Sequence, residues 1–192
     1  MLTTSFTTKS GKNATIRPVT IDDVPAETDF INSASREDTY ITFSGEQLTE
    51  IEERAYIQDC LNRMDKRDLI KLVCIVDGVL AADCTVGRDI NTRKRGYHRG
   101  TFGLVVRKEY RGNGIGETLM KTAMSTAWQR MKGLQIVTLH VLGNNLVAQK
   151  LYEKQGFVEC GRVKNGYWYR DAYVDDIMMQ IHKPPLTSMS TL

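Results

Sequence analysis

Between Val105 and Gly116 the chain reads Val-Val-Arg-Lys-Glu-Tyr-Arg-Gly-Asn-Gly-Ile-Gly, and no other passage limits its possible folds as strongly. An apolar run ends, a glycine-rich turn follows, and a long helical pattern begins at once. Ile115, Leu119, Ala123, Ala127 and Met131 recur at a four-residue step, and Met120, Met124 and Trp128 widen the same stripe. That spacing predicts a helix from Gly114 to Met131 whose Met and Trp residues are core. Gly112, Gly114 and Gly116 let the backbone turn sharply and present successive N–H groups outward. The first N–H groups of a helix have no internal acceptor, and the helix dipole adds positive potential there. The Arg111–Gly116 turn therefore predicts a seat for a diphosphate, with Arg111 adding charge-assisted contacts. The glycine spacing fits neither G-x-G-x-x-G nor a Walker loop, which argues against a plain nucleotide fold.

The remaining patterns predict a mixed α/β order. Ala14 to Thr20 reads as a strand leading to Asp22 as an N-cap and a helix to about Ser35. Thr49 and Glu52 form a capping box before a helix to about Met64, with Ile51, Ala55, Ile57 and Leu61 on its apolar side. Leu69–Val76 and Val79–Val86 are strands joined by Asp77-Gly78, a tight-hairpin signal. Tyr97–Val106, the nearly all-apolar Leu134–Leu142, Phe157–Lys164 and Tyr173–His182 are further strands, with a short helix over Asn145–Lys154. The order is β-α-α-β-β-β-α-β-α-β-β. A polar tail is expected over 1–13, one domain over 14–183, and a Ser/Thr-rich tail over 184–192.

A chain of 192 residues with 41% apolar and 26% charged residues has the balance of one soluble domain. Met1 to Lys12 lacks the apolar segment of a signal peptide, and no apolar run is long enough to span a bilayer. Cys60, Cys74, Cys84 and Cys160 form no Cys-x-x-Cys pair and read as reduced core or near-core thiols, which suits a cytoplasmic setting. His98, His140 and His182 lie far apart in sequence, so no metal site is expected. A net charge of +3 does not suggest a dedicated nucleic-acid binder. Eight Lys/Arg against Asp89 and Glu109 do fall between Arg88 and Arg111. They read as a solvated loop from Arg88 to Gly96 plus the glycine turn, with Arg93, Lys94 and Arg95 at the loop. An RNA- or ribosome-binding use would interleave aromatics with these cations, and only Tyr97, Phe102 and Tyr110 are near.

About thirty residues after the turn comes Asn145-x-x-Ala148-x-x-Leu151-Tyr152-x-x-x-Gly156-Phe157. Joined to Arg111-Gly112-x-Gly114-x-Gly116 in this order, it resembles the two signature motifs of GNAT acetyltransferases. The resemblance runs from Ala14 to about Ile181 and is clearest from Thr101 to Gly161. It implies a twisted mixed sheet of six to seven strands with helices on both faces. Between the two central parallel strands, one ending at Val106 and the other Leu134–Leu142, it implies a V-shaped splay holding acetyl-CoA. Cofactor contacts are implied for Leu104, Val105 and Val106, for Arg111, Gly112, Asn113, Gly114, Ile115 and Gly116, and for Asn145, Lys150 and Tyr152. Within that set, the Val106 N–H holds the acetyl carbonyl, the turn holds the pyrophosphate, Asn145 meets the pantetheine arm, and Tyr152 faces the thioester sulfur.

Residue chemistry agrees with those roles. A neutral amine attacks a thioester directly, the developing oxyanion needs an N–H donor, and the leaving thiolate needs a proton. No Ser/His/Asp or Cys/His constellation is recognisable, and none is required. Tyr152 reads alternatively as a core aromatic bonded to a carbonyl, and Asn145 as a helix N-cap. Many family members place a Glu on the strand before the turn, but Tyr97–Val106 holds no carboxylate. His98 is its one titratable base near neutrality, beside water-mediated deprotonation. Glu27, Glu37 and Asp38 come from the acceptor side in this family and are further candidates for the base, with Glu37 the expected substrate residue there. Gly161-Arg162 followed by Asp171-x-Tyr173-x-Asp175-x-x-x-Met179 resembles the ending of bacterial members acting on small amines and amino acids. The connection Lys164–Arg170 offers Arg170 as a bidentate grip on an acceptor carboxylate. The expected function is acetyl transfer from acetyl-CoA to a small, amino-acid-like primary amine, and a homodimer is compatible with it. The rival readings are a ribosomal-type protein N-terminal acetyltransferase and a CoA-binding module without catalysis.

Overall fold

The computed structural model describes residues 3–185. In chain order come β1 (Thr4–Thr7), β2 (Asn13–Pro18), α1 (Val24–Arg36), α2 (Glu50–Asp65), β3 (Leu69–Val76) and β4 (Val79–Arg88). Then follow β5 (Arg99–Val106), α3 (Ile115–Arg130), β6 (Ile136–Leu142), α4 (Leu146–Lys154), β7 (Val158–Tyr169) and β8 (Ala172–His182). Among the described residues the strands make one eight-stranded sheet in the order β1-β2-β3-β4-β5-β6-β8-β7. Every neighbouring pair is antiparallel except β5–β6.

The eighth strand lies where a tail was expected. β1 pairs with β2 from Thr4↔Ile16 to Thr7↔Asn13, and Phe6 packs on the main core. The expected C-terminal tail lies outside the described residues beyond 185, as do Met1 and Leu2.

The sheet buries both faces. On one, Leu72, Cys74, Cys84, Val86 and Phe102 meet Ile115, Leu119, Ala123 and Ala127 of α3. On the other, Val73 and Leu80 meet Val24, Phe30 and Ile57 of α1 and α2. The Thr49/Glu52 capping box forms as expected, at 3.3 Å and 2.8 Å. The entry to α1 differs. Thr20, not Asp22, caps a 3₁₀ turn in a capping box with Asp23, whose carboxylate Arg17 also binds at 2.7 Å, and α1 starts at Val24 with Asp23 as its N-cap. Ile51 is 82% exposed, since α2 turns Glu53, Ile57 and Cys60 inward instead. Cys60, Cys74 and Cys84 are buried, whereas Cys160 is exposed.

Under α1 and α2 lies a buried ionic cluster. Lys71 contacts Asp83 and stands 3.2 Å from a Glu27 oxygen, with both Lys71 and Glu27 almost fully buried. One ammonium balances one carboxylate, and Asp83 holds the shorter contact. Burial and the Asp83 charge accordingly push the Glu27 carboxyl up from 4.5 to about 8. A raised folded-state pKa gives stability that is present at low pH and is lost as pH rises through the folded value. Between pH 4.5 and 8, wild type should therefore lose stability relative to Glu27→Gln. The difference in Tm between the two proteins, followed by circular dichroism across that range, checks this. A constant difference would show Glu27 ionised in the folded protein.

Candidate active site

β5 and β6 pair over three positions, Arg99↔Ile136, Gly100↔Val137 and Thr101↔Thr138. Beyond them β5 stays with β4 as far as Ala82↔Val106, and β6 stays with β8 as far as Leu142↔Asp176. The two central strands thus separate while each keeps its outer partner, which is the expected V-shaped splay. The Arg107 N–H donates to the Ala81 carbonyl at 2.9 Å. Backbone groups alternate sides along a strand, so the N–H groups of Leu104 and Val106 face into the splay.

Just past Val106 the glycine turn opens α3. Gly112 and Gly114 have φ of +76° and +81°, a region costly for other residues, and Gly114 is the N-cap. Gly116 serves another purpose. A Cβ there would lie 3.4 Å from Leu104 and 3.5 Å from Val106, so its bare backbone lets α3 close on the end of β5. Ile115 anchors the same turn in the core. The Asn113 carbonyl accepts from the Lys9 N–H at 3.2 Å, and the Lys9 side chain runs within 3.8 Å of the Cβ position at Gly114. Lys9 therefore brings a cation to the turn from a segment expected to be a tail.

Arg111 is not turned towards the glycines. Its guanidinium makes a bidentate pair with Glu37, one arm at 2.8 Å, and its Nε donates to the Val106 carbonyl at 2.9 Å. A residue expected at the pyrophosphate and one expected at the acceptor thus bind each other at the end of β5.

Tyr152, on α4, is buried between Phe102 at 6.2 Å and Phe157 at 6.1 Å. Among the described residues no group hydrogen-bonds its hydroxyl, and the oxygen is not sealed from solvent. The alternative of a core tyrosine bonded to a carbonyl is therefore not what the fold builds. Burial pushes the Tyr152 hydroxyl up to about 12, so it keeps its proton at neutral pH. Asn145 does cap α4, accepting from the Ala148 N–H at 3.2 Å, while Lys150 is exposed on the same helix.

Two expected residues sit differently. His98 is exposed just before β5, where the strands are still paired. It stands about 25 Å from Val106 at ~3.3 Å per residue. Arg170 does not hang free in a connection. β7 runs through to Tyr169, and the turn is Arg170-Asp171, both at positive φ. Arg170 donates to the Asp38 carbonyl at 3.1 Å and faces the Asp38 carboxylate at 3.4 Å, while Tyr169 stacks on Tyr40 at 4.9 Å. The hairpin tip is thereby joined to the loop after α1.

The basic segment is taken up in the fold only in part, and Lys94, Arg95, Arg99 and Lys108 are exposed. Arg88 is buried, bonded to Asp68 at 2.8 Å and to the Lys132 carbonyl at 3.0 Å, and stacked on Tyr97. Arg107 pairs with Asp29 at 2.5 Å. The Arg93 side chain lies outside the described residues.

Sequence reading missed one further pair. His140 of β6 directs Nδ1 at both oxygens of Asp176 of β8, at 3.0 Å and 2.9 Å.

This architecture, parallel strands parting beside a glycine turn that opens a helix, defines an acyltransferase class. The family model for the acetyltransferase (GNAT) family matches residues 31–157, more than half of the chain. The protein belongs to the GNAT acetyltransferase family. Over 64 residues it is 41% identical to GCN5-related N-acetyltransferase 6, chloroplastic, of Arabidopsis thaliana, a match spanning 32% of this chain and 22% of that protein. Among solved structures, a GNAT-family acetyltransferase from Streptococcus pneumoniae is 27% identical with a TM-score of 0.80, over 88% of this chain and 98% of that one. Two others share the fold at lower identity. A ribosomal-protein-alanine N-acetyltransferase from Brucella melitensis is 23% identical with a TM-score of 0.76, over 88% of this chain and 99% of that one. A phosphinothricin acetyltransferase from Sinorhizobium meliloti, in complex with acetyl-CoA, is 17% identical with a TM-score of 0.77, over 92% and 96%.

Proposed function

We propose that the protein is an acetyl-CoA-dependent N-acetyltransferase that passes the acetyl group directly to a small primary amine. The observation that carries this reading is the splay, which turns the Val106 N–H away from β4 into the gap between β5 and β6, together with a Tyr152 hydroxyl that no described residue engages. The site chemistry suits the donor substrate. The turn sets N–H groups at the positive end of a 16-residue helix, Gly112 leaves the approach to them open, and Lys9 adds a cation. Asn113, Gly114, Ile115 and Gly116 would hold the diphosphate, with Leu104, Val105, Asn145 and Lys150 along the arm. The Val106 N–H donates to the thioester carbonyl as negative charge develops there. Tyr152 gives its proton to the departing sulfur. Glu37 neutralises Arg111 and fixes it against the Val106 carbonyl, which holds the end of β5 in place.

The acceptor enters from the opposite face. The Arg170–Asp38 contacts and the Tyr40–Tyr169 stack bring the hairpin tip against the loop after α1 and narrow that entrance. This supports a small amine over a protein N-terminus. An amino-acid carboxylate would compete with Asp38 for Arg170. The test is a panel of amino acids, aryl and alkyl amines, polyamines and N-terminal peptides of ribosomal proteins, assayed for thiol release from acetyl-CoA. The expected result is turnover with a small amine, best with amino-acid-like members, and little with peptides. A preference for peptides would overturn the acceptor assignment, and no release with any amine would overturn the activity.

A further inference from the structure

We propose that His140 is the general base that accepts the acceptor's proton, and that Asp176 positions it. The proposal rests on the acetyltransferase reading above.

The two faces of the splay do different work. Tyr152 packs against Phe102 and Phe157 on the α3 side of the sheet. Leu139 and Val141 point into that same core, so His140 between them projects from the other face. It lies two residues beyond Thr138, the last β6 residue paired with β5, and so stands at the start of the splay. Across the gap, the β5 residues on that face are Thr101, Gly103 and Val105, none of which titrates. A thioester in the splay would meet Tyr152 from one side and His140 from the other, as departure of the thiol and entry of the amine require.

Asp176 gives the imidazole a defined role. Its carboxylate is only 15% exposed, whereas the His140 side chain is 53% exposed. Nδ1 is committed to the carboxylate and carries the proton, which leaves the Nε2 lone pair available. Asp176 is itself confined by the β7 bulge, where a Cβ at Gly166 would come within 2.8 Å of the Asp176 Cβ.

The acids on this face are otherwise engaged. Glu27 and Asp83 share Lys71, Asp29 holds Arg107, Glu37 holds Arg111 and Asp38 faces Arg170. Among the described residues, Asp176 from β8 is the titratable group bonded to His140, and Tyr167 from β7 lies close enough to feel the Asp176 charge. Imidazole is the side chain whose ordinary titration spans neutral pH, which suits an amine that arrives protonated.

The proton balance closes. The acceptor ammonium gives one proton to Nε2 of His140, forming an imidazolium that Asp176 stabilises. The amine nitrogen then bonds to the acetyl carbon and the carbon–sulfur bond breaks. The thiolate takes a proton from Tyr152, which recovers one from the nitrogen. His140 returns its proton to solvent, so an ammonium and acetyl-CoA yield an amide, free CoA and one proton.

The test uses the full chain and the best amine of the panel above. Wild-type kcat/KM should climb with pH along one ionisation to a plateau. His140→Gln should lower kcat on the order of 10²–10⁴-fold, erase that limb and leave acetyl-CoA affinity unchanged by calorimetry. His140→Asn supplies the same readout if the Gln variant folds poorly. Asp176→Asn should lower kcat more than it raises KM, Asp176→Glu should recover part of it, and nitrogen NMR should show His140 losing its Nδ1–H tautomer in Asp176→Asn. If wild type acetylates amines while His140→Gln keeps its kcat and pH limb, the base assignment falls and the acetyltransferase stands. A loss equal at every pH and accompanied by weaker acetyl-CoA binding would also overturn it, as a structural role. No turnover by wild type would remove both.

Discussion

Tyr152→Phe is expected to lower kcat on the order of 10²–10⁴-fold, the usual contribution of general acid catalysis, with acetyl-CoA affinity unchanged. The variant keeps the ring, so the contacts with Phe102 and Phe157 and the seating of α4 on the sheet persist. Only a hydroxyl is lost, and within the described residues that hydroxyl bonds nothing, so folding should cost little. Single-turnover rates, with binding measured separately by calorimetry, separate the two quantities. Full activity where chemistry limits the rate would make Tyr152 a packing residue and place the acid elsewhere.

Gly114→Glu should abolish the rise in Tm that acetyl-CoA gives the wild type. At φ +81° the position sits in the left-handed region, which costs other residues roughly 1–2 kcal/mol. A domain stable by about 5–15 kcal/mol survives that cost. The carboxylate would then stand at the positive end of α3, where a diphosphate is expected, and would draw Lys9 to itself. Gly114→Ala, with the strain but no charge, should retain part of the shift. Unchanged acetyl-CoA affinity in a folded Gly114→Glu protein would remove the cofactor assignment from this turn.

Local signals in the sequence carried far. The Asp77-Gly78 hairpin, the Thr49 cap, the long helix from Ile115 and the tyrosine of α4 are set by residues within a turn or two of one another. β1 escaped because Thr4–Thr7 has one apolar residue, Phe6, and an edge strand needs no alternation to pair with β2. The end of β7 escaped for a different reason. Asn165-Gly166 looks like a turn, but the chain bulges there and turns at Arg170-Asp171 without a glycine. The pairings that the sequence does not show depend on contacts between distant segments. Arg111 meets Glu37 across 74 positions, and His140 meets Asp176 across 36 because the β6–β8 register puts them on a diagonal. His98 adjoins β5 in sequence, and only the register shows that it lies at the end still paired with β6.

The central claim is that the donor thioester lies in the splay with its carbonyl on Val106. Titrating acetyl-CoA into the nitrogen-labelled protein and following backbone amide shifts tests this most directly. The account predicts the largest changes at Val106 and across Gly112–Gly116, with Leu104 and Asn145 following and His98 unmoved. Saturable binding that leaves the Val106 and Gly112–Gly116 amides where they were, or moves residues around His98 instead, would contradict it.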